Sequence, residues 1–282
     1  MAIILDGKAV SAAVKQEVRA EVETLRENGL QVGLAVIIVG DNPASRTYVN
    51  NKQKACAEAG IHSEEYALPA GTTMEELLAL IDELNHKDSI HGILCQLPLP
   101  EGLDEKAVIA AIAPEKDVDA FSVGNVGHIM IGDYSFLPCT PAGIMEMLKY
   151  YNIPIAGKEC VVIGRSNIVG KPMAMLLLQQ NGTVTICHSK TENLAEVTRR
   201  ADILVAAVGI PHFVKADMVK DGAVVVDVGM DRDEDGKLCG DVDFAAVEPK
   251  ASYITPVPGG VGPMTIATLL KNTVTAAKQM GK

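Results

Sequence analysis

Val161-Val162-Ile163-Gly164-Arg165-Ser166-Asn167-Ile168-Val169-Gly170-Lys171-Pro172 passes from an apolar strand through a glycine-bounded turn into a helix. A buried strand that ends in Gly lets the backbone approach a ligand closely. The helix behind it offers unpaired N–H groups and a partial positive charge to an anion. The stretch therefore reads as a phosphate-binding turn. It is not a Walker A loop, because Arg165 stands where the first Gly of that loop should be and Pro172 replaces the Ser or Thr that holds Mg²⁺. Nor is it G-x-G-x-x-G, since five residues separate Gly164 from Gly170.

The following strand points to the nucleotide. In an NAD site an Asp or Glu closes the second strand, about 20 residues on, to hold the ribose 2′-hydroxyl. Here Val184-Thr185-Ile186-Cys187 ends in His188-Ser189-Lys190. Hydroxyl and basic groups at that place, together with Arg165, suit a 2′-phosphate, so NADP rather than NAD is the expected cofactor. Apolar runs at 203–208 and 223–228 read as further strands, with helices expected near 170–180, 192–200 and 215–220. Thr140-Pro141 opens a helix to about Tyr151 ahead of the first strand.

The first half has the same rhythm. Val10, Val14, Val18 and Val22 recur every fourth residue and predict an amphipathic helix ending near Asn28-Gly29. Gly33 to Val39 is an apolar run suited to a strand covered on both faces. A helix is expected from about 44 to 59, a strand at 62–68, and a helix from Thr72 to about His86 with Thr73 and Glu76 at capping-box spacing. The strand Gly92-Ile93-Leu94-Cys95 ends at Gln96-Leu97-Pro98-Leu99-Pro100, where the prolines forbid a central strand. The segment 121–138 lacks a pattern and reads as a long loop near a domain boundary.

The fold class is thus α/β with two domains, each a largely parallel sheet with flanking helices, the second of Rossmann type. The first domain is expected over 1–139, joined by a C-terminal helix at 263–282. The dinucleotide domain is expected over 140–262.

Composition narrows the function. With 25 basic and 36 acidic residues the net charge is −11, which argues against nucleic acid or an anionic membrane as the main partner. The N-terminus lacks signal-peptide character and no apolar run has the length of a membrane span, so a cytoplasmic location is expected. Six cysteines without a C-x-x-C pair read as reduced core residues. The six histidines show no metal-ligand spacing, and Asp231 to Gly236 reads as a solvated turn too short for an EF-hand, so no metal is expected.

Tyr48 and Lys52 stand one helical turn apart on a helix that begins at the carboxyl end of the 33–39 strand, and Gln96 follows the carboxyl end of the 92–95 strand. Ligands of parallel sheets lie beyond those ends. Y-x-x-x-K is also the pair of short-chain dehydrogenases, but there it follows the dinucleotide turn, whereas here it precedes it.

With these pieces in order, the chain resembles the bifunctional methylenetetrahydrofolate dehydrogenase/methenyltetrahydrofolate cyclohydrolase family over essentially its whole length. The resemblance rests on Tyr48-x-x-x-Lys52, Gln96-Leu97-Pro98-Leu99-Pro100, Pro114-Glu115-Lys116-Asp117-Val118-Asp119, Gly164-Arg165-Ser166 through Gly170-Lys171-Pro172, and Pro258-Gly259-Gly260-Val261-Gly262-Pro263-Met264-Thr265. It implies two domains facing each other across a cleft, in a homodimer acting on one-carbon derivatives of tetrahydrofolate. It implies that Lys52 is the main cyclohydrolase residue, supported by Tyr48 and Gln96, that Asp119 grips the pterin, and that Leu97 and Pro258, Gly259, Gly260, Val261 and Gly262 line the folate site. Gly164, Arg165, Ser166, Gly170, Ser189 and Met230 match the family's NADP contacts. One departure is Ala120, where the family usually has Gly.

Two other readings fit parts of the pattern: a shikimate-type two-domain NADP dehydrogenase, and a non-catalytic NADP-binding sensor. Neither needs the Gln96 corner or the glycine-rich loop at 258–263.

Overall fold

The computed structural model describes residues 1–281, with the backbone alone of Ala44. In chain order the elements are β1 Ile3–Ile4, α1 Gly7–Glu27, β2 Gly33–Val39, α2 Pro43–Ala59, β3 His62–Leu68, α3 Met74–Asn85, β4 Gly92–Cys95, α4 Glu105–Ala111, α5 Val123–Ile131 and α6 Cys139–Tyr150. There follow β5 Glu159–Ile163, α7 Gly170–Gln179, β6 Thr183–Cys187, α8 Leu194–Thr198, β7 Ile203–Ala206, β8 Val224–Asp227, β9 Asp231–Arg232, β10 Leu238–Cys239, α9 Phe244–Val247, β11 Tyr253–Ile254 and α10 Val261–Met280.

Residues form two compact units, one of 13–137 with the chain from 266 onward, the other of 1–12 with 138–265. This differs from the expected 1–139 domain at its start. Ile3 and Ile4 pair in parallel with Tyr253 and Ile254, so the first residues complete the sheet of the later unit. A two-residue strand carries too little periodicity to reveal its partner in sequence. The terminal Lys282 of the expected 263–282 helix lies outside the described residues.

The 13–137 unit has a parallel sheet in the order β3-β2-β4. Every residue of β2 is buried, as an unbroken Gly-Leu-Ala-Val-Ile-Ile-Val run requires. Leu77, Ile81 and Leu84 of α3 pack against this strand's neighbours in one core. The Thr73 hydroxyl accepts the Glu76 N–H while the Glu76 carboxylate accepts the Thr73 N–H, the reciprocal cap its spacing predicts. Beyond β4, Ile93 bridges in parallel to Asp117.

The expected loop at 121–138 instead contains α5. Ser122 caps it through the Asn125 N–H, Ile129 is buried, and Gly132 ends it in the left-handed region. Val123, Met130 and Ile131 are exposed, and Gly124 and Gly127 lower helix propensity, so the sequence shows no clean apolar stripe.

The other unit has a fully parallel sheet in the order β1-β11-β8-β7-β5-β6. Ile163 lies opposite both Cys187 and Ala206, and Ala206 opposite Asp227, so four strands finish level at their carboxyl ends. The chain runs from β5 to β6 on one side and then to β7 on the other, which makes a switch point beside β5. The helix expected near 215–220 is only a short 3₁₀ turn, Ala216–Met218. The acidic run from Asp231 turns between two short antiparallel strands, β9 and β10.

Candidate active site

In the six-stranded unit the glycine turn sits at the switch point. Gly164 has φ +128°, and a Cβ there would lie 2.3 Å from the Ala207 carbonyl oxygen. A Cβ on Gly170 would lie 2.3 Å from the Gly164 oxygen. Both positions therefore demand glycine, one for its dihedral and both for close backbone approach.

The donors available to an anion are not those expected from the helix alone. The Ser166 hydroxyl accepts the N–H groups of Val169 and Gly170 at 3.1 and 3.2 Å, and the Ser166 carbonyl accepts Lys171 N–H. The first turn of α7 is thus closed by Ser166. The backbone N–H groups of 165–168 have no acceptor among the described residues, so the turn itself presents them. Ser166 retains its own hydroxyl proton for donation.

Because Ile163 and Cys187 are register partners, Arg165 and Ser189 leave adjacent strands at nearly the same level, and both are exposed. Arg165 has no ion-pair partner among the described residues. A phosphate between them would meet a guanidinium and a hydroxyl. His188 is turned away from this role: its Nδ1 accepts the Lys190 N–H within the 188–191 turn. At the end of β8, Met230 is half exposed, and its Cε lies 2.8 Å from where a Cβ on Gly262 would be. Met230 and the glycine-rich loop therefore meet within this unit. Gly259, at φ +107°, and Gly260 lie against the start of α1, where a Cβ on Gly7 would fall 1.7 Å from the Gly260 oxygen. Val257–Pro258, like Leu97–Pro98, is a cis peptide.

In the three-stranded unit, α2 carries Tyr48, 38% exposed, and Lys52, 8% exposed. The Lys52 Nζ donates to Gln96 Oε1 at 2.9 Å. The Gln96 Nε2 donates to Leu97 oxygen at 2.7 Å, which fixes the amide so that its oxygen faces the lysine. The backbone N–H of Gln96 is itself tied to Ile37 oxygen on β2. Burial raises the pKa of Tyr48 above the usual phenol value.

Asp117 and Asp119 divide their work. The buried Asp117 carboxylate accepts the Ser122 N–H at 2.8 Å and the Asn125 amide at 2.9 Å, closing the turn between α4 and α5. Asp119 is only partly buried and lies near enough to Cys95 for its charge, after burial, to help push that thiol to about 12. It thus lies near the end of β4. Ala120, fully buried, holds φ +57°. That is the left-handed region, which Gly adopts more readily than Ala.

Cys56, one turn beyond Lys52, is buried and unpaired, as a reduced core cysteine should be, and is raised to about 11 by desolvation. Sequence reasoning missed two supports. Asn125 could have been inferred from its place three residues after a capping Ser. Asn272 on α10 donates to Val118 and Leu137 oxygens, both at 2.8 Å, and nothing local in the sequence marks it. Among the described residues no cluster of His, Cys, Asp or Glu is arranged to hold a metal.

Residues 5–119 match the family model for the tetrahydrofolate dehydrogenase/cyclohydrolase catalytic domain, and residues 138–281 match that family's NAD(P)-binding domain. The chain belongs to the tetrahydrofolate dehydrogenase/cyclohydrolase family. The bifunctional protein FolD of Acetivibrio thermocellus is 63% identical over 279 residues, covering 99% of this chain and 98% of its own. The solved bifunctional FolD enzyme of Campylobacter jejuni is 54% identical with a TM-score of 0.97, covering 99% of each chain. The Trypanosoma brucei FolD, solved with NADP cofactor and inhibitor, is 41% identical with a TM-score of 0.95, covering 100% of this chain and 99% of its own.

Proposed function

We propose that this chain oxidises 5,10-methylenetetrahydrofolate to the 5,10-methenyl form with NADP and then hydrolyses that product to 10-formyltetrahydrofolate. The observation that carries the reading is the buried Lys52 ammonium held by an amide whose orientation is fixed, with Tyr48 one turn away, in a chain that matches both domains of the family.

NADP, when bound, accepts the hydride from the one-carbon bridge. Gly164 and Gly170 make room for its phosphates, the free N–H groups of 165–168 and the Ser166 hydroxyl receive them, and Arg165 with Ser189 receives the 2′-phosphate. These residues fit the group, because the cradle is one that a Cβ on either glycine would fill. The backbone around Met230 borders the nicotinamide. Lone pairs of the flanking folate nitrogens stabilise the cation left by hydride loss, so orientation is the protein's main task in this step.

Hydrolysis needs proton transfer as water adds to the methenyl carbon and the ring opens. Lys52 steers that water and relays its proton, Gln96 aims the lysine, and Tyr48 stacks on the folate while its hydroxyl hydrogen-bonds at the reacting edge. Asp119 receives paired N–H groups of the pterin, and Leu97 with Pro258 to Gly262 borders the substrate. The protein acts as a cytoplasmic homodimer, with no role for nucleic acid or membrane. The net charge of −11 weighs against an anionic partner, and among the described residues no helix is long and apolar enough to cross a membrane.

The test is Lys52→Met. Methenyl absorbance, formed from methylenetetrahydrofolate and NADP, should still rise, while its decay to the formyl product should slow by about 100-fold or more, the usual scale of acid–base assistance. Equal survival of both activities would remove Lys52 from its role, and no absorbance change in the wild type would remove the reading altogether.

A further inference from the structure

At the carboxyl ends of β7 and β8 two buried aspartates take five backbone N–H groups between them. Asp227, the last residue of β8, accepts Gly229 and Asp241 N–H on Oδ1, both at 2.9 Å, and Val242 N–H on Oδ2 at 2.9 Å. Asp241, 0% exposed, accepts Val208 N–H on Oδ2 at 2.7 Å and Ile210 N–H on Oδ1 at 2.8 Å. Each carboxylate belongs to one loop and binds another. Asp227 holds the start of its own 228–230 turn and the returning strand at 241–242. Asp241 reaches across to the loop that follows β7.

The glycines around them are fitted to this arrangement. A Cβ on Gly240 would lie 2.0 Å from Asp227 Oδ2, and a Cβ on Gly229 would lie 2.4 Å from Asp241 N and 2.8 Å from its Oδ1. Neither glycine has a positive φ, so it is the carboxylates and the backbone they grip that exclude a side chain there. Burial pushes Asp227 up to about 6 against the lowering effect of its three N–H donors. Two carboxylates this close and this buried are costly for a fold that needs only a core. A purely structural loop could be closed by neutral groups.

We propose that Asp227 and Asp241 are positioning residues that preset the loops 207–210 and 228–230 for the nicotinamide half of NADP. The inference rests on the NADP reading above and adds to it the groups that set the geometry of the receiving backbone. At a switch point, the ends of these two strands are where a dinucleotide's second half lies. Met230 follows directly on the turn that Asp227 closes. Backbone N–H groups bonded to ionised acceptors are held more tightly than those bonded to neutral ones, so the loops are fixed before the cofactor arrives.

The experiment uses Asp241→Asn in the full-length protein. The Asn amide can accept with its oxygen alone, so its NH₂ must oppose either the Val208 or the Ile210 N–H. Losing one charge-assisted bond and opposing one donor should raise the KM for NADP by about 10-fold to 100-fold. Hydrolysis of methenyltetrahydrofolate supplied directly, which uses no cofactor, should change by less than about twofold, within ordinary mutational scatter. Gly229→Ala displaces the same turn without altering any charge and should give the same split. A fall in both activities together, or an unchanged KM for NADP in folded variants, would overturn the proposal. Failure of the wild type to bind NADP in a fluorescence titration would instead overturn the site reading on which it stands.

Discussion

Substituting Asn272 tests how α10 supports the turn that carries Asp119, the proposed pterin group. The Asn272 amide is buried and commits both hydrogens, to Val118 and Leu137 oxygens at 2.8 Å each. Val118 is fully buried and precedes Asp119, whereas the second bond is only partly buried. Removing the side chain in Asn272→Ala takes one hydrogen bond from each of the Val118 and Leu137 carbonyls along with the amide's packing, about 2–4 kcal/mol together. At roughly 3 °C per kcal/mol for a chain of this size, the thermal midpoint should fall by about 6–12 °C. Because the bond also fixes the backbone next to Asp119, the KM for methylenetetrahydrofolate should rise about 10-fold while that for NADP stays put, since small misplacements are expensive in rate and binding. Asn272→Asp decides between readings. If the side chain acts as a donor, the isosteric carboxylate, which sets negative charge against two carbonyl oxygens, must be worse than Ala. Differential scanning calorimetry and substrate titrations on both variants measure this, and an Asp variant milder than the Ala variant would refute the argument.

Arg165→Ala should lower the preference for NADP over NAD by at least about tenfold, the scale of one charge-assisted phosphate contact, as read from the ratio of kcat/KM values. Gly164→Ala combines φ +128° with a Cβ 2.3 Å from Ala207 oxygen and should reduce dehydrogenase activity and stability together, checked by steady-state assay and thermal midpoint. For Ala120→Gly the relief of left-handed strain, about 1–2 kcal/mol, is nearly offset by about 0.8 kcal/mol of lost methyl burial and by the entropy of a freer unfolded chain. The midpoint should move by less than about 3 °C, and a larger change would contradict that balance. His91 is buried, its Nδ1 accepts Gly33 N–H at 3.0 Å, and burial with the charge of Lys116 lowers its pKa. Its contribution to stability is therefore full above the unfolded value of about 6.5 and is lost as pH falls below it toward the folded value. Asp227 works in the opposite sense, costing stability as pH rises toward about 6. The check is thus the difference between the wild type and His91→Asn, whose amide oxygen can still accept the Gly33 N–H. The variant should lose less stability on acidification between about pH 7 and 5.

The elements legible in the sequence are those with a strong local cause. β2 is an unbroken apolar run, α3 carries its capping box, and the turn at Gly164 is forced by glycines whose Cβ atoms would collide with backbone. The elements that escaped depend on remote partners. β1 and β11 are two residues each and exist because each pairs with a strand far away in the chain. α5 has two glycines and an exposed apolar face, so propensity and periodicity both argue against it, and the Ser122 cap, the Asn125 bonds to Asp117 and Pro114 and the buried Ile129 hold it instead.

The candidate site divides along the same line. Tyr48, Lys52 and Gln96 could be picked out because they follow the carboxyl ends of parallel strands, and the Lys52–Gln96 bond joins two such segments across residues 44 apart in sequence. What sequence could not tell is which of two chemically identical groups faces outward. Asp117 and Asp119 stand two residues apart, and the Ile93–Asp117 bridge fixes the first beside β4, where it turns inward to Ser122 and Asn125. The same holds at β8, where Asp227 closes a strand that otherwise reads as pure core. A carboxylate at the ligand end of a parallel strand is therefore not by itself a ligand-binding group. Counting the backbone N–H groups it already accepts separates the two roles: Asp227 takes three and is spent on the loop. Asp117 takes one N–H and one side-chain amide and is likewise spent on its own turn.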